Sequence, residues 1–121
     1  MDPAVRVLIV EDEVLIAMLL TELVEQLGYS VCNVAATEAD AVAMATACRP
    51  DLIIVDAGLR EGSGIAAMHA ILEQRFVPHL YVTGDKHLVR TLAQHAIVLE
   101  KPFFARELSK GIEQALATAA R

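Results

Sequence analysis

The stretch Leu52-Ile53-Ile54-Val55-Asp56 decides how this chain folds. Four apolar residues in a row, three of them β-branched, show no alternation between a wet and a dry face. A strand of that kind is covered on both sides, as central strands of parallel sheets are. Pro50-Asp51 punctuates it before, and the carboxylate of Asp56 closes it. Outward from this run, short apolar segments alternate with longer amphipathic ones. Val5 to Val10 reads as a strand. Glu13 to Leu27 carries Ile16, Leu19, Leu20, Leu23, Val24 and Leu27 at helical spacing, with Gly28 where a C-terminal glycine belongs. Ser30 to Val34 is a second strand. Thr37, with Asp40 three residues on, opens a helix running to about Cys48. Beyond Asp56, the loop Ala57 to Gly64 holds three glycines and must turn tightly. A helix follows over Ile65 to Arg75, a strand over Pro78 to Val82, and a short helix over Asp85 to about His95. Ile97 to Leu99 is a fifth strand, and Phe104 to about Ala119 a last helix.

The pattern is (βα)5, an α/β fold with a doubly wound five-stranded parallel sheet and helices on both faces. Its 121 residues are one domain's length, so residues 1–121 are expected to form a single domain with none left over for a second. The chain is 55% hydrophobic and only 4% aromatic, which predicts an aliphatic core and excludes disorder. Sixteen acidic against ten basic residues give a net charge of −6, and no run of Lys or Arg is present. Direct nucleic-acid binding is therefore not expected, nor is attraction to anionic membrane surfaces. The longest apolar run, Val14 to Leu20, is far short of the ~20 residues that span a bilayer. The acidic start, Met1-Asp2-Pro3, lacks the basic end of an export signal, so the expected location is cytoplasmic. Cys32 and Cys48 have no metal-ligand spacing and read as separate core thiols in a reducing compartment.

In doubly wound sheets ligands sit at the carboxyl ends of the strands. Here the first strand ends in Glu11-Asp12, the third in Asp56, the fourth in Thr83-Gly84 and the fifth at Lys101-Pro102. Three carboxylates, a hydroxyl and an ammonium would thus share one rim. Two like charges 4 Å apart cost about 4 kcal/mol at an effective dielectric of about 20, so neutralisation is needed. Hard oxygen ligands suit Mg2+, or Mn2+, and Lys101 adds a fixed cation. A carboxylate held between such cations can attack phosphorus. Thr83 offers a hydroxyl donor, and Gly84 leaves the approach open.

This ordered set, Glu11-Asp12, Asp56, Thr83-Gly84 and Lys101-Pro102, resembles the receiver domain of two-component response regulators, from Val5 through Leu116. The loop agrees too: receivers usually carry Gly eight residues after the phosphoacceptor, and Gly64 stands there. The resemblance implies the flavodoxin-like strand order 2-1-3-4-5. It makes Asp56 the phosphoacceptor for a partner's phosphohistidine. Asp12, Asp56 and the backbone carbonyl of Gly58 would ligate Mg2+, with Glu11 acting mainly through water. Lys101 would pair with Asp56 and later with a phosphoryl oxygen, Thr83 would swing toward that group, and the Lys101-Pro102 peptide is typically cis. Phosphorylation would change the surface of the fourth helix, fifth strand and last helix. The implied partners are a histidine kinase or histidine phosphotransfer protein, docking near the first helix and Phe103, and a downstream protein. A homodimer is left open.

Some positions depart from the family pattern. Val98 stands where receivers often have Tyr or Phe, which puts the ring-flip part of the usual switch in doubt. Arg60 replaces a common Pro, as a phosphate-side or partner contact. Asp85 either orients or excludes water at the mouth, or caps a helix. With the Leu59-Arg60-Glu61-Gly62 loop, these departures are similar to receivers found alone or attached to sensor kinases of the HWE type, often in alphaproteobacteria. The expected role is a signalling module rather than an enzyme. The alternatives are a small Mg2+-dependent phosphatase with an aspartyl nucleophile, disfavoured by Gly58 where an acid/base carboxylate belongs, and a pseudo-receiver that binds partners without phosphorylation. His69, His79, His87 and His95 are scattered, and Ser63 lacks the GxSxG context of a nucleophile. Of Phe103 and Phe104, one is expected in the core and one at the surface.

Overall fold

A computed structural model of the chain describes residues 4–85, 87–89 and 96–120. The elements are β1 (Arg6–Val10), α1 (Val14–Gln26), β2 (Ser30–Ala35), α2 (Glu38–Cys48), β3 (Leu52–Asp56), α3 (Gly64–Gln74), β4 (His79–Thr83), β5 (Val98–Glu100) and α4 (Ala105–Ala117), closed by a 3-10 turn at Thr118–Ala120. The strands form one sheet in the order β2-β1-β3-β4-β5, every pair parallel. All five residues of β3 are buried, as its unbroken apolar run requires. Alternate side chains feed two cores. Leu8, Val10, Ile53 and Val55 pack with Ala45, Met68 and Ile71 of α2 and α3. Val7, Ile9, Leu52 and Ile54 pack with Leu20, Val24, Leu108 and Ile112 of α1 and α4.

Local chemistry ends the elements where expected. Gly28 takes φ +94, and α1 closes with Gly28 N–H on the Glu25 carbonyl and Tyr29 N–H on that of Val24. Thr37 Oγ1 accepts from Asp40 N at 3.1 Å and caps α2. Two details differ from the sequence expectation. Register slips between Val7 and Leu8, leaving Cys32 as an extra residue in β2. That bulge sends Val31 and Val34 to the α1/α4 core, and Cys32 and Ala35 to the α2/α3 core. The fifth strand is also shifted by one residue from Ile97–Leu99, because its ladder pairs Tyr81 with Val98 and Thr83 with Glu100.

The cysteines are corrected outright: Cys32 and Cys48 are joined as a disulfide rather than packed as separate thiols. Residues 16 apart meet because the crossover returns the end of α2 beside β2, with Cα atoms 6.5 Å apart. Of the short helix expected over Asp85 to His95, His87 to Val89 are helical, while Lys86 and residues 90–95 lie outside the described residues. Among the described residues no helix is long and apolar enough to cross a membrane.

Candidate functional site

The parallel sheet brings its carboxyl-terminal ends to one rim. Glu11 directly follows β1, and its N–H bonds the last carbonyl of β2, Ala35, at 2.8 Å. Asp56 is the final residue of β3, Thr83 that of β4, and Lys101 N–H extends the β5 ladder onto the Thr83 carbonyl at 3.0 Å. One oxygen each from Glu11, Asp12 and Asp56 lies within 4.8 Å of the others, a donor set suited to a hard divalent cation. Lys101 Nζ donates to Glu11 Oε1 at 3.0 Å and to Asp56 Oδ2 at 3.3 Å, and stands 3.9 Å from Glu13 Oε2. Its shorter bond is thus to Glu11, not to Asp56. The other Asp56 oxygen, Oδ1, accepts from Gly58 N at 3.0 Å. Asp12 Oδ2 accepts from the backbone N–H of Arg60 at 2.7 Å.

Burial sets the electrostatics. Desolvation pushes the Glu11 carboxyl up to about 7, against the downward pull of its bonds from Lys101 and the Glu13 backbone, with Asp56 adding to the rise. Burial alone would lower the Lys101 ammonium, but the bond to Glu11 and the charges of Asp56 and Glu11 together hold it above its ordinary value. Lys101 is the ammonium these two buried carboxylates share.

The loop between β3 and α3 is clamped around Asp56. A Cβ on Gly64 would stand 1.8 Å from the Asp56 carbonyl oxygen, so this glycine is required by close approach of the backbone. Gly62 takes φ +84 and faces Glu38 of α2. Glu38 Oε1 accepts from Ser63 N at 2.9 Å, and Glu38 N donates to the Glu61 carbonyl at 3.2 Å. Ser63 Oγ caps α3 by accepting from Ile65 N and Ala66 N. Glu38 was invisible as a rim residue in the sequence, because only the fold brings it to the Asp56 loop, whereas Glu13 could have been found from its place directly after Glu11-Asp12.

On the other side, Thr83 Oγ1 is engaged by its own turn. It accepts from Asp85 N at 3.0 Å and lies 3.3 Å from the Asp85 carbonyl. Asp85 Oδ1 in turn accepts from His87 N at 3.1 Å, a helix-capping geometry. A Cβ on Gly84 would meet nothing within 4 Å among the described residues. The Lys101-Pro102 peptide is cis. Val98 is partly buried beside Tyr81 in the α2/α3 core. Phe103 joins the α1/α4 core, while Phe104 is exposed. Val14, Leu15 and Met18 of α1 are exposed too, and Val14 and Met18 line a groove of about 790 Å3 that reaches Glu11 and Asp12.

Residues 7–113 match the family model of the response regulator receiver domain. The chain is 40% identical over 119 residues to the phyllosphere-induced regulator PhyR of Methylorubrum extorquens, covering 95% of this chain and 45% of that protein. It is 35% identical over 118 residues to the transcriptional regulatory protein PdtaR of Mycobacterium tuberculosis, covering 93% of this chain and 57% of that one. The chain therefore spans about half the length of these curated relatives. The solution structure of the Erythrobacter litoralis PhyR response regulator REC domain superposes with a TM-score of 0.86 at 34% identity, covering 94% of this chain and 91% of that one.

Proposed function

Because the chain belongs to the response regulator receiver family, we propose that Asp56 accepts a phosphoryl group and that the protein is a signalling switch. The observation that carries this reading is the placement of Asp56: its two oxygens are held by Gly58 N–H and Lys101 Nζ, beside two further carboxylates. Asp12 and Asp56 would hold Mg2+ or Mn2+, with Glu11 behind them and the Gly58 carbonyl beside them. When bound, that cation supplies positive charge for the phosphoryl oxygens.

An Asp56 oxygen attacks phosphorus of a phosphohistidine. The P–O bond forms, the P–N bond breaks, and the electron pair returns to the imidazole nitrogen. Lys101 is placed to follow the charge from Asp56 to a phosphoryl oxygen, while its bond to Glu11 keeps it anchored. Thr83 donates to the phosphoryl group only by turning its hydroxyl away from the Asp85 carbonyl. Loss of that contact loosens the turn that Asp85 caps, and so carries the change toward the segment after β4. Val98 leaves no aromatic ring to follow, so the motion runs through this turn.

The donor is a histidine kinase or a histidine phosphotransfer protein. Val14, Leu15, Met18 and Phe104 give it an apolar landing surface next to the rim. The chain is a signal module rather than a turnover enzyme. Incubation with a radiolabelled small phosphodonor and Mg2+ tests this. The label should reach no more than one phosphoryl group per chain and decay by the chain's own hydrolysis, whereas steady multiple turnover of a small phosphate ester would make it a phosphatase.

A further inference from the structure

Lys101 serves Glu11, Asp56 and Glu13, and Asp12 is not among its partners. Asp12 is answered from the opposite side, by Arg60. The Arg60 backbone N–H bonds Asp12 Oδ2, and the Arg60 guanidinium Nε stands 3.8 Å from that same oxygen. The two halves of this contact differ in kind. The backbone bond is fixed by a loop that is itself held by Gly64 and Glu38. The guanidinium is not fixed: the Arg60 side chain is 81% exposed, against 10% for Asp12. A nearly buried carboxylate is therefore oriented by a rigid donor and neutralised by a cation that is free to leave.

We infer that the Arg60 guanidinium is the exchangeable counter-ion of Asp12 and sets how tightly the rim takes a divalent cation. This rests on the reading of Asp12 as a cation ligand. A guanidinium next to Asp12 repels a divalent ion at the same carboxylate and must be displaced, so it weakens uptake. Removing the side chain leaves the backbone N–H in place, so Asp12 stays oriented and only the competing charge is lost. Because that charge lies in solvent, its effect is screened as the Debye length falls from about 30 Å at 0.01 M ionic strength to about 8 Å at 0.15 M.

Calorimetric titration of the full chain with Mg2+ separates the claims. Arg60→Ala should bind Mg2+ about threefold to tenfold more tightly than wild type at low ionic strength, the size expected of one screened charge. The gap should shrink as salt is added. Arg60→Lys, which keeps the charge, should stay near the wild-type value. Unchanged or weaker binding by Arg60→Ala overturns the inference, as does an Arg60→Lys variant that behaves like Arg60→Ala. Absence of Mg2+ uptake by wild type overturns the cation reading itself, and this inference with it. Asp12→Asn tells the two apart: its loss of binding beside an unchanged Arg60→Ala leaves that reading standing and removes the role of Arg60.

Discussion

Gly64→Ala is the substitution whose consequence is most tightly set by geometry. The added Cβ would lie 1.8 Å from the carbonyl oxygen of Asp56 and 2.8 Å from Val55 Cγ2. Neither a rotamer change nor a flexible side chain can relieve the first contact, because the Cβ is fixed by the helix backbone and its partner is a backbone carbonyl. Overpacking a rigid core costs about 1–3 kcal/mol, and this contact belongs at the upper end. Alanine at the first residue of α3 gives back at most about 1 kcal/mol of helix propensity. The net destabilisation is then about 2 kcal/mol. Unfolding entropy of about 2.1 cal/mol/K per residue over 121 residues makes 1 kcal/mol worth about 4 °C. Thermal unfolding followed by circular dichroism should therefore place Gly64→Ala about 8 °C below wild type. Gly84→Ala is the matched control, since its Cβ meets nothing within 4 Å among the described residues, and it should stay within about 2 °C. Equal melting temperatures for the two variants would refute the claim that Gly64 exists to let α3 approach the Asp56 backbone.

Burial raises Glu11 from 4.5 to about 7, so its contribution to stability is full below about pH 4.5 and lost as pH rises through 7. In chelator-treated buffer, Glu11→Gln should therefore gain on wild type between pH 5 and pH 8, by at most about 3 kcal/mol in urea unfolding, and a pH-independent gap would contradict this. Lys101→Met strands Glu11 and Asp56 without their shared ammonium and should cost about 3 kcal/mol at pH 8 in the same assay, with a smaller loss at pH 5, where Glu11 is neutral. Ser63→Ala removes the cap of α3 and should cost about 1 kcal/mol, read as a shift in the urea midpoint.

The sequence was most legible where burial dictates residue type. The run Leu52 to Val55 could only be a strand covered on both faces, and the polar residues that close each strand announced the rim. Gly28 and Thr37 marked helix ends because φ and capping chemistry are local. What stayed hidden depends on contacts across the fold. The bulge at Cys32 cannot be located in a strand of six residues, where the alternation it breaks is too short to read. The Cys32–Cys48 bond needs the crossover of α2 before the two residues meet. The hold of Glu38 on the Asp56 loop and of Arg60 on Asp12 joins residues 25 and 48 positions apart, with no local signature. The preference of Lys101 for Glu11 over Asp56 is a matter of a few tenths of an ångström, which motif spacing does not encode.

The central claim is that Asp56 is the residue that takes the phosphoryl group. Its most direct test is to phosphorylate the chain with a small phosphodonor and Mg2+, reduce with borohydride, and map the product by mass spectrometry. Reduction converts an aspartyl phosphate to homoserine. Homoserine is expected at position 56 alone, with no phosphoryl gain in Asp56→Asn. Homoserine elsewhere, or an Asp56→Asn variant labelled as fully as wild type, would contradict it.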